Sequence, residues 1–185
     1  MVCLIPAQHI EPLLVDHYEN GLVTVEPIHQ PYTPNNRAEI ESELVRYVIN
    51  RESYSPSSYH EQYALINLLS DDRVARDYIA EQSVSNRLSF ISRFGNKVDR
   101  SVHIENVFFL DSVNATTPTQ GGHHNLAQIN FVVIDRNRAT GEDVRVPLTV
   151  LISWEYRGVS NNPEDRWRDW DGFTVTDYRV EQRNV

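Results

Sequence analysis

The sequence predicts an α+β domain in which helices come first and a meander of long antiparallel strands follows. Three observations carry that reading. Between residues 37 and 82, apolar side chains recur at helical spacing behind acidic or hydroxyl-bearing starts. Between residues 97 and 181 the period changes to two, most clearly in Val144, Val146, Leu148, Val150, Ile152, Trp154 and Tyr156. No repeat, low-complexity tract or long linker separates the two halves, so residues 1–185 read as one domain, long enough for a single sizeable core.

Leu13-Leu14-Val15 and Leu22-Val23-Thr24-Val25 flank Asn20-Gly21, a dipeptide suited to positive φ, and predict a hairpin. Pro27, Pro31 and Pro34 then hold an extended connection. The first helix spans about 37–52. Asn36 and Glu39 have capping-box spacing, Ile40, Leu44, Tyr47 and Val48 form its apolar stripe, and Pro56 closes it. A second helix starts near Ser58, with Glu61 three residues on, and carries Tyr59, Tyr63, Ile66 and Leu69. A third begins at Asp71 or Asp72 and presents Val74, Tyr78 and Ile79. Residues 84–95 hold a short helical turn before Gly95.

Residues 97–110 form a long strand whose parity changes after Ile104, which predicts a bulge. A polar loop covers 111–125, a strand runs over 126–134, and a turn covers 135–141. The strand 144–156 has one buried face. Residues 157–170 read as a charged, tryptophan-containing loop, and a tail strand opens at Gly172.

Hydrophobic residues make up 40% and charged residues 23%, a globular composition. The net charge of −9 argues against broad phosphate binding, which needs Lys and Arg along the backbone. Lys97 is the only lysine and lies in no Gly-rich motif, so P-loop and Schiff-base chemistry find no support. Cys3 is the only cysteine, which excludes an internal disulfide and a cysteine zinc site. No apolar run approaches the ~18 residues of a spanning helix, and Pro6 interrupts the start too early for a signal peptide. As given, the chain reads as soluble.

Catalytic patterns are missing too. The histidines, at 9, 17, 29, 60, 103, 123 and 124, form no His-x-x-x-His helix motif, and His123-His124 point apart in a loop, so no metal is expected. Asp71-Asp72 suit a helix start, while Glu164-Asp165 and Asp169/Asp171 are assigned to a solvated loop. No Gly-x-Ser-x-Gly elbow occurs. Asn114-Ala115-Thr116 matches a glycosylation sequon by pattern alone. Arg136, Arg138 and Arg145 cluster at one hairpin, and Arg166 and Arg168 interleave with Trp167 and Trp170. On an acidic chain that composition favours a protein contact over single-strand stacking. On the first helix, Glu39, Ser42, Arg46 and Tyr54 are candidates to project outward as a contact surface, against a plainer reading of a core helix with solvated charges.

Two segments taken together resemble a known family. Arg46-Tyr47-Val48-Ile49-Asn50-Arg51-Glu52-Ser53-Tyr54 matches a Tyr-Val … Arg-Glu-x-Tyr pattern, and Gly172-Phe173-x-Val175-x-x-Tyr178-Arg179 matches the closing strand. The proline-containing start, the Asn20-Gly21 hairpin, Tyr63 with Leu68-Leu69-Ser70, and Val74-Ala75-Arg76-Asp77-Tyr78 follow in family order. The chain thereby resembles, over nearly its whole length, the periplasmic domain of the bitopic inner-membrane assembly protein of bacterial type IV secretion systems, the eighth VirB component. It departs at the corner before the last strand. The family's Asn-Pro-x-Gly is here Asp169-Trp170-Asp171-Gly172, and only the glycine is retained.

The resemblance implies a nuclear-transport-factor-two-like cone, helices packed on a long curved antiparallel sheet. It implies a periplasmic domain at residues 1–185, with a cytoplasmic tail and one spanning helix ahead of residue 1. It implies a scaffold without catalysis or cofactor, which self-associates as a weak homodimer or higher oligomer and contacts other channel components. The matched positions expected to make contacts are Arg51, Glu52, Tyr54, Gly172, Phe173, Tyr178 and Arg179. Glu39, Ser42 and Arg46 are expected in self-association by outward position alone. Two alternatives stay open: an enzyme whose cavity would hold Asp99 or His103, and a ligand carrier with a large apolar cavity.

Overall fold

Four long strands run antiparallel in sequence order, β3-β4-β5-β6, and the helices cover one face of that sheet. The computed structural model describes residues 13–17, 23–27, 37–110 and 125–183. Strands β1 (Leu13–His17) and β2 (Val23–Pro27) pair antiparallel with Leu13 opposite Pro27, the hairpin expected around Asn20-Gly21. Cys3, Asn36, Asn114, His123 and His124 lie outside the described residues.

Helix α1 (Arg37–Glu52) buries Ile40, Leu44, Tyr47 and Val48, the predicted stripe. Helix α2 (Tyr59–Leu68) buries Ile66 and leads into buried Leu69. Helix α3 (Asp72–Glu81) is capped as expected, with the Val74 amide donating to Asp71 Oδ1 at 2.7 Å. It buries Val74 and Tyr78 but leaves Ile79 exposed, so its core stripe is narrower than predicted. Helix α4 (Phe90–Phe94) is the short turn expected before Gly95.

The strands are β3 (Val98–Phe109), β4 (Asn125–Asn137), β5 (Asp143–Tyr156) and β6 (Phe173–Gln182). The register shift between Ile104 and Asn106 is the predicted bulge, and a second lies between Ser153 and Trp154. Strand β4 runs three residues beyond its expected end. Asp135 stays in the ladder because it pairs with Arg100 on β3, Oδ1 at 2.5 Å and Oδ2 at 2.7 Å. Val144 shares the inward parity of β5 yet is exposed, as the second residue of a strand whose first turns lie outside the core.

Residues 157–170 are not all loop. Helix α5 (Pro163–Arg168) starts on Asn162, whose side chain accepts from the Glu164 amide at 3.2 Å, with Pro163 at the first position and Glu164 and Asp165 in the first turn. These are ordinary start signals, masked in the sequence by surrounding charge.

The core lies between α1–α3 and the sheet. Ala127, Ile129, Phe131 and Val133 of β4, Val150, Ile152 and Trp154 of β5, and Phe173 and Val175 of β6 pack against Leu44, Tyr47, Val48, Ile66, Leu69, Val74 and Tyr78. A smaller cluster of Tyr54, Phe90 and Phe94 closes the end of α1. There the Tyr54 amide donates to Arg100 O (2.9 Å) and the Arg100 amide to Tyr54 O (2.8 Å), which ties α1 to edge strand β3.

Gly172 makes the corner into β6. Its φ is +76°, and a Cβ there would fall 1.6 Å from the Arg157 carbonyl oxygen. Gly141 has a similar φ of +74° but open space around it. Gly141→Ala therefore carries only the positive-φ cost, about 1 kcal/mol, while Gly172→Ala adds a backbone clash and costs about 3 kcal/mol or more. Urea unfolding of the two variants should separate them by that difference, and equal losses would contradict the corner geometry.

Candidate functional site

Three of the matched residues converge at the inner end of α1. Arg51 is only 4% exposed, and its guanidinium lies over two rings, Tyr178 at 4.2 Å and Tyr78 at 4.8 Å. Its nitrogens donate to Tyr47 Oη (3.2 Å) and Glu81 Oε2 (3.1 Å). The Tyr178 hydroxyl donates to Glu52 Oε1 at 2.9 Å. Tyr47 and Ser70 hydroxyls meet at 2.7 Å, and Ser70 passes a bond to Ile66 O. The expectation of solvated charges at the end of α1 is thus corrected: Arg51 is a core residue.

Burial disfavours the Arg51 cation, but Tyr47, Tyr178, Glu81 and Glu52 around it outweigh that cost and its pKa is raised. Burial pushes the Glu52 carboxyl up, and Arg51 partly offsets the shift. Burial, then the Glu52 charge, pushes the Tyr178 phenol well above its usual range. The network joins α1, α3 and β6.

A second cluster forms where α1 meets the Gly172 corner. Asp169 is 8% exposed, Asp171 3% and Glu43 8%, so the assignment of Asp169 and Asp171 to a solvated loop is overturned. Asp171 Oδ1 accepts from the Phe173 amide at 3.1 Å. Arg46 bonds Glu43 Oε2 at 2.7 Å and the Arg168 carbonyl oxygen, which links α1 to α5. Burial first, then the like charge of Asp171, pushes Asp169 up to about 7.

The other expected residues lie apart. Tyr54, expected to project outward, is buried and its hydroxyl donates to Gly95 O at 3.0 Å. Gly172 and Phe173 are buried as corner and core. Arg179 is exposed on the sheet's outer face, with Nε 2.9 Å from Asp177 Oδ2. On α1, Ser42 is exposed, while Glu39 and Arg46 are half-buried. Sequence reasoning missed Glu43, Tyr47, Ser70, Tyr78 and Glu81 as members of these networks. The local signals were the four-residue step from Tyr47 to Arg51 and the three-residue step from Glu43 to Arg46.

Neither residue named for a catalytic cavity lies in an enclosed polar one, and His103 only borders an open depression on the sheet's outer face. Asp99 is held by Arg138 at 2.8 Å, and His103 stands exposed on the outer face. Among the described residues no group of three metal-ligating side chains comes together, and no helix is long and apolar enough to cross a membrane.

The model of the VirB8 protein family matches residues 1–183. The chain belongs to the VirB8 family. Three solved structures show the same fold, each with a TM-score of 0.67. A TraE protein in complex with 2-(2-furyl)isonicotinic acid is 28% identical, over 82% of this chain and 100% of that one. A TrwG component of the type IV secretion system from Bartonella birtlesii is 22% identical, over 83% and 97%. The VirB8 protein of Agrobacterium tumefaciens is 20% identical, over 84% and 99%. No curated protein matches. This VirB8-family chain is a type IV secretion component with the nuclear-transport-factor-two-like fold that the resemblance implied.

The acid cluster makes stability depend on pH. Between its ordinary value of 3.8 and about 7, folded Asp169 binds a proton that the unfolded chain has released. Stability therefore falls as pH rises through that window and levels off above it. Asp169→Asn should be more stable than the parent at pH 8, with the gap closing toward pH 4. Thermal melts across that range check it, and a gap that widens toward acid would reverse the sign.

Proposed function

We propose that this chain is a non-catalytic scaffold of the inner-membrane part of a type IV secretion system. In that reading the domain stands in the periplasm, tethered through a membrane-spanning segment ahead of it. It acts by weak self-association and by contacts with other channel components. Family membership supports the setting.

One observation carries the mechanism. The face of α1 turned away from the core bears Ala38, Ser42, Val45 and Ile49, a stripe without charge on an otherwise charged helix. Ala38, Ser42 and Ile49 are exposed and Val45 is half-buried. The spacing of four, three and four residues is that of a helix-packing seam. Glu39 and Arg46 flank it on one side and Glu41 on the other. In an antiparallel pair of α1 helices, Glu39 of one copy comes opposite Arg46 of the next, twice by symmetry.

Such a seam is short, so the pairing is weak in solution and strengthened when tethering raises the effective concentration. Trp167, 77% exposed, and Trp170, with Arg166 and Arg168, supply an aromatic and cationic surface suited to a protein partner.

Sedimentation over a concentration series should show a monomer–dimer equilibrium. The double substitution Ser42→Arg, Ile49→Asp should weaken it about a hundredfold or more, since like charges then face each other and apolar contact is lost. Thermal stability should fall only slightly, because both side chains lie on the exposed face of α1. A monomer at all concentrations, or dimers that persist in the variant, would remove α1 from the mechanism.

A further inference from the structure

The sheet face opposite the helices carries a depression of about 720 Å³ that no part of the scaffold reading uses. That volume is in the range of small-molecule sites, about 300–1,000 Å³. Its floor is Val132, Ile134 and Pro147. The register explains the arrangement. His103, Val132 and Pro147 lie in one row across β3, β4 and β5, and the Arg183 amide donates to Pro147 O at the end of that row. Ser101, Ile134 and Arg145 form the next row. An Arg183–Glu105 ion pair, Nη2 to Oε2 at 2.5 Å, spans from the end of β6 to β3 across both middle strands. It acts as a strap over an apolar floor.

The donors around this floor outnumber the acceptors. Arg183 has one carboxylate for five N–H groups, and its Nε is buried without a partner. The Arg145 side chain, exposed on the same face, makes no ion pair or hydrogen bond among the described residues. A buried donor without an acceptor is costly, and an incoming anion relieves it. A carboxylate fits better than a phosphate here. Its two oxygens match a guanidinium fork, and a single charge meets less repulsion from Glu105.

We propose that this depression binds a small carboxylate with an apolar body, which packs on Val132, Ile134 and Pro147 while its head sits between Arg145 and Arg183. The site is on the opposite face of the sheet from the helix-side networks and is independent of α1 pairing.

The test is a titration of the 15N-labelled protein, residues 1–185, with hexanoate, and with hexanamide as the uncharged match. Hexanoate should cause saturable amide shifts centred on His103, Ile134, Arg145 and Arg183, and hexanamide should not. Arg145→Gln should weaken binding about tenfold, the worth of one charge-assisted hydrogen bond. Arg179→Gln, a guanidinium on the same face outside the depression, should leave it unchanged. Arg145 is exposed, so its variant should melt with the parent. Shifts equal for the amide, shifts centred on Arg51 and Tyr178, no saturable shift at millimolar ligand, or an Arg145→Gln affinity equal to the parent would each overturn the proposal.

Discussion

The burial of Arg51 sets the terms for the rest of the domain. A guanidinium withdrawn from water costs several kcal/mol unless partners surround it. Here they come from three elements. Tyr47 lies one turn back on α1, Tyr78 and Glu81 are on α3, and Tyr178 is on β6. The contacts demand that α3 and the last strand meet the end of α1 in one arrangement. Loss of any one partner would leave a buried charge incompletely satisfied, which is more expensive than the net worth of the pair. Because Tyr178 points inward to serve this cation and Glu52, its neighbour Arg179 must point outward, to Asp177 and solvent. One buried charge thereby fixes the facing of the closing strand from Asp177 onward, beyond its bulge.

The Gly172 corner handles charge in the opposite way. Arg51 is satisfied by protein groups, but Asp169, Asp171 and Glu43 are three carboxylates of one sign with Arg46 as their nearby cation. A proton supplies part of the compensation, which is why Asp169 titrates close to neutrality. The corner cannot relax by opening, since Gly172 sits against the Arg157 carbonyl and the Arg157 amide donates to Gly172 O at 2.8 Å. Geometry is held by the glycine, so Asp169 and Trp170 can stand where the resemblance puts Asn and Pro without losing the turn.

Most of the fold was legible because its signals are local. The stripe of α1, the Asp71 cap, the bulge after Ile104 and the alternation of β5 all lie within a dozen residues of chain. What was not legible depends on distant partners. Arg51 reads as a solvated charge until Glu81, thirty residues on, is placed beside it, and the Glu52–Tyr178 bond spans 126 residues. Asp169 and Asp171 read as loop residues because their burial comes from α1. Tyr54 looked outward by helix phase, but it follows the end of α1, where the chain turns to bridge Arg100 and the ring falls among Phe90 and Phe94. Helix α5 was hidden for another reason: its start signals are charged residues in a charged stretch.

Arg46 connects the two halves of this argument. It sits beside the uncharged outward stripe of α1, and its guanidinium also holds Glu43 and the carbonyl of Arg168. The inward face of the helix is immobilised by Tyr47 and Arg51, so a partner packed on the outward stripe cannot be accommodated by rotation of α1. The part of that face with freedom to respond is the long side chain of Arg46 at the seam's edge. If a partner's Glu39 competes for this guanidinium, the strut to Arg168 weakens while the Gly172 corner stays in place. The change would then be felt at α5 and its exposed Trp167, and on the proposed pairing the two surfaces would be coupled through one side chain rather than through the core.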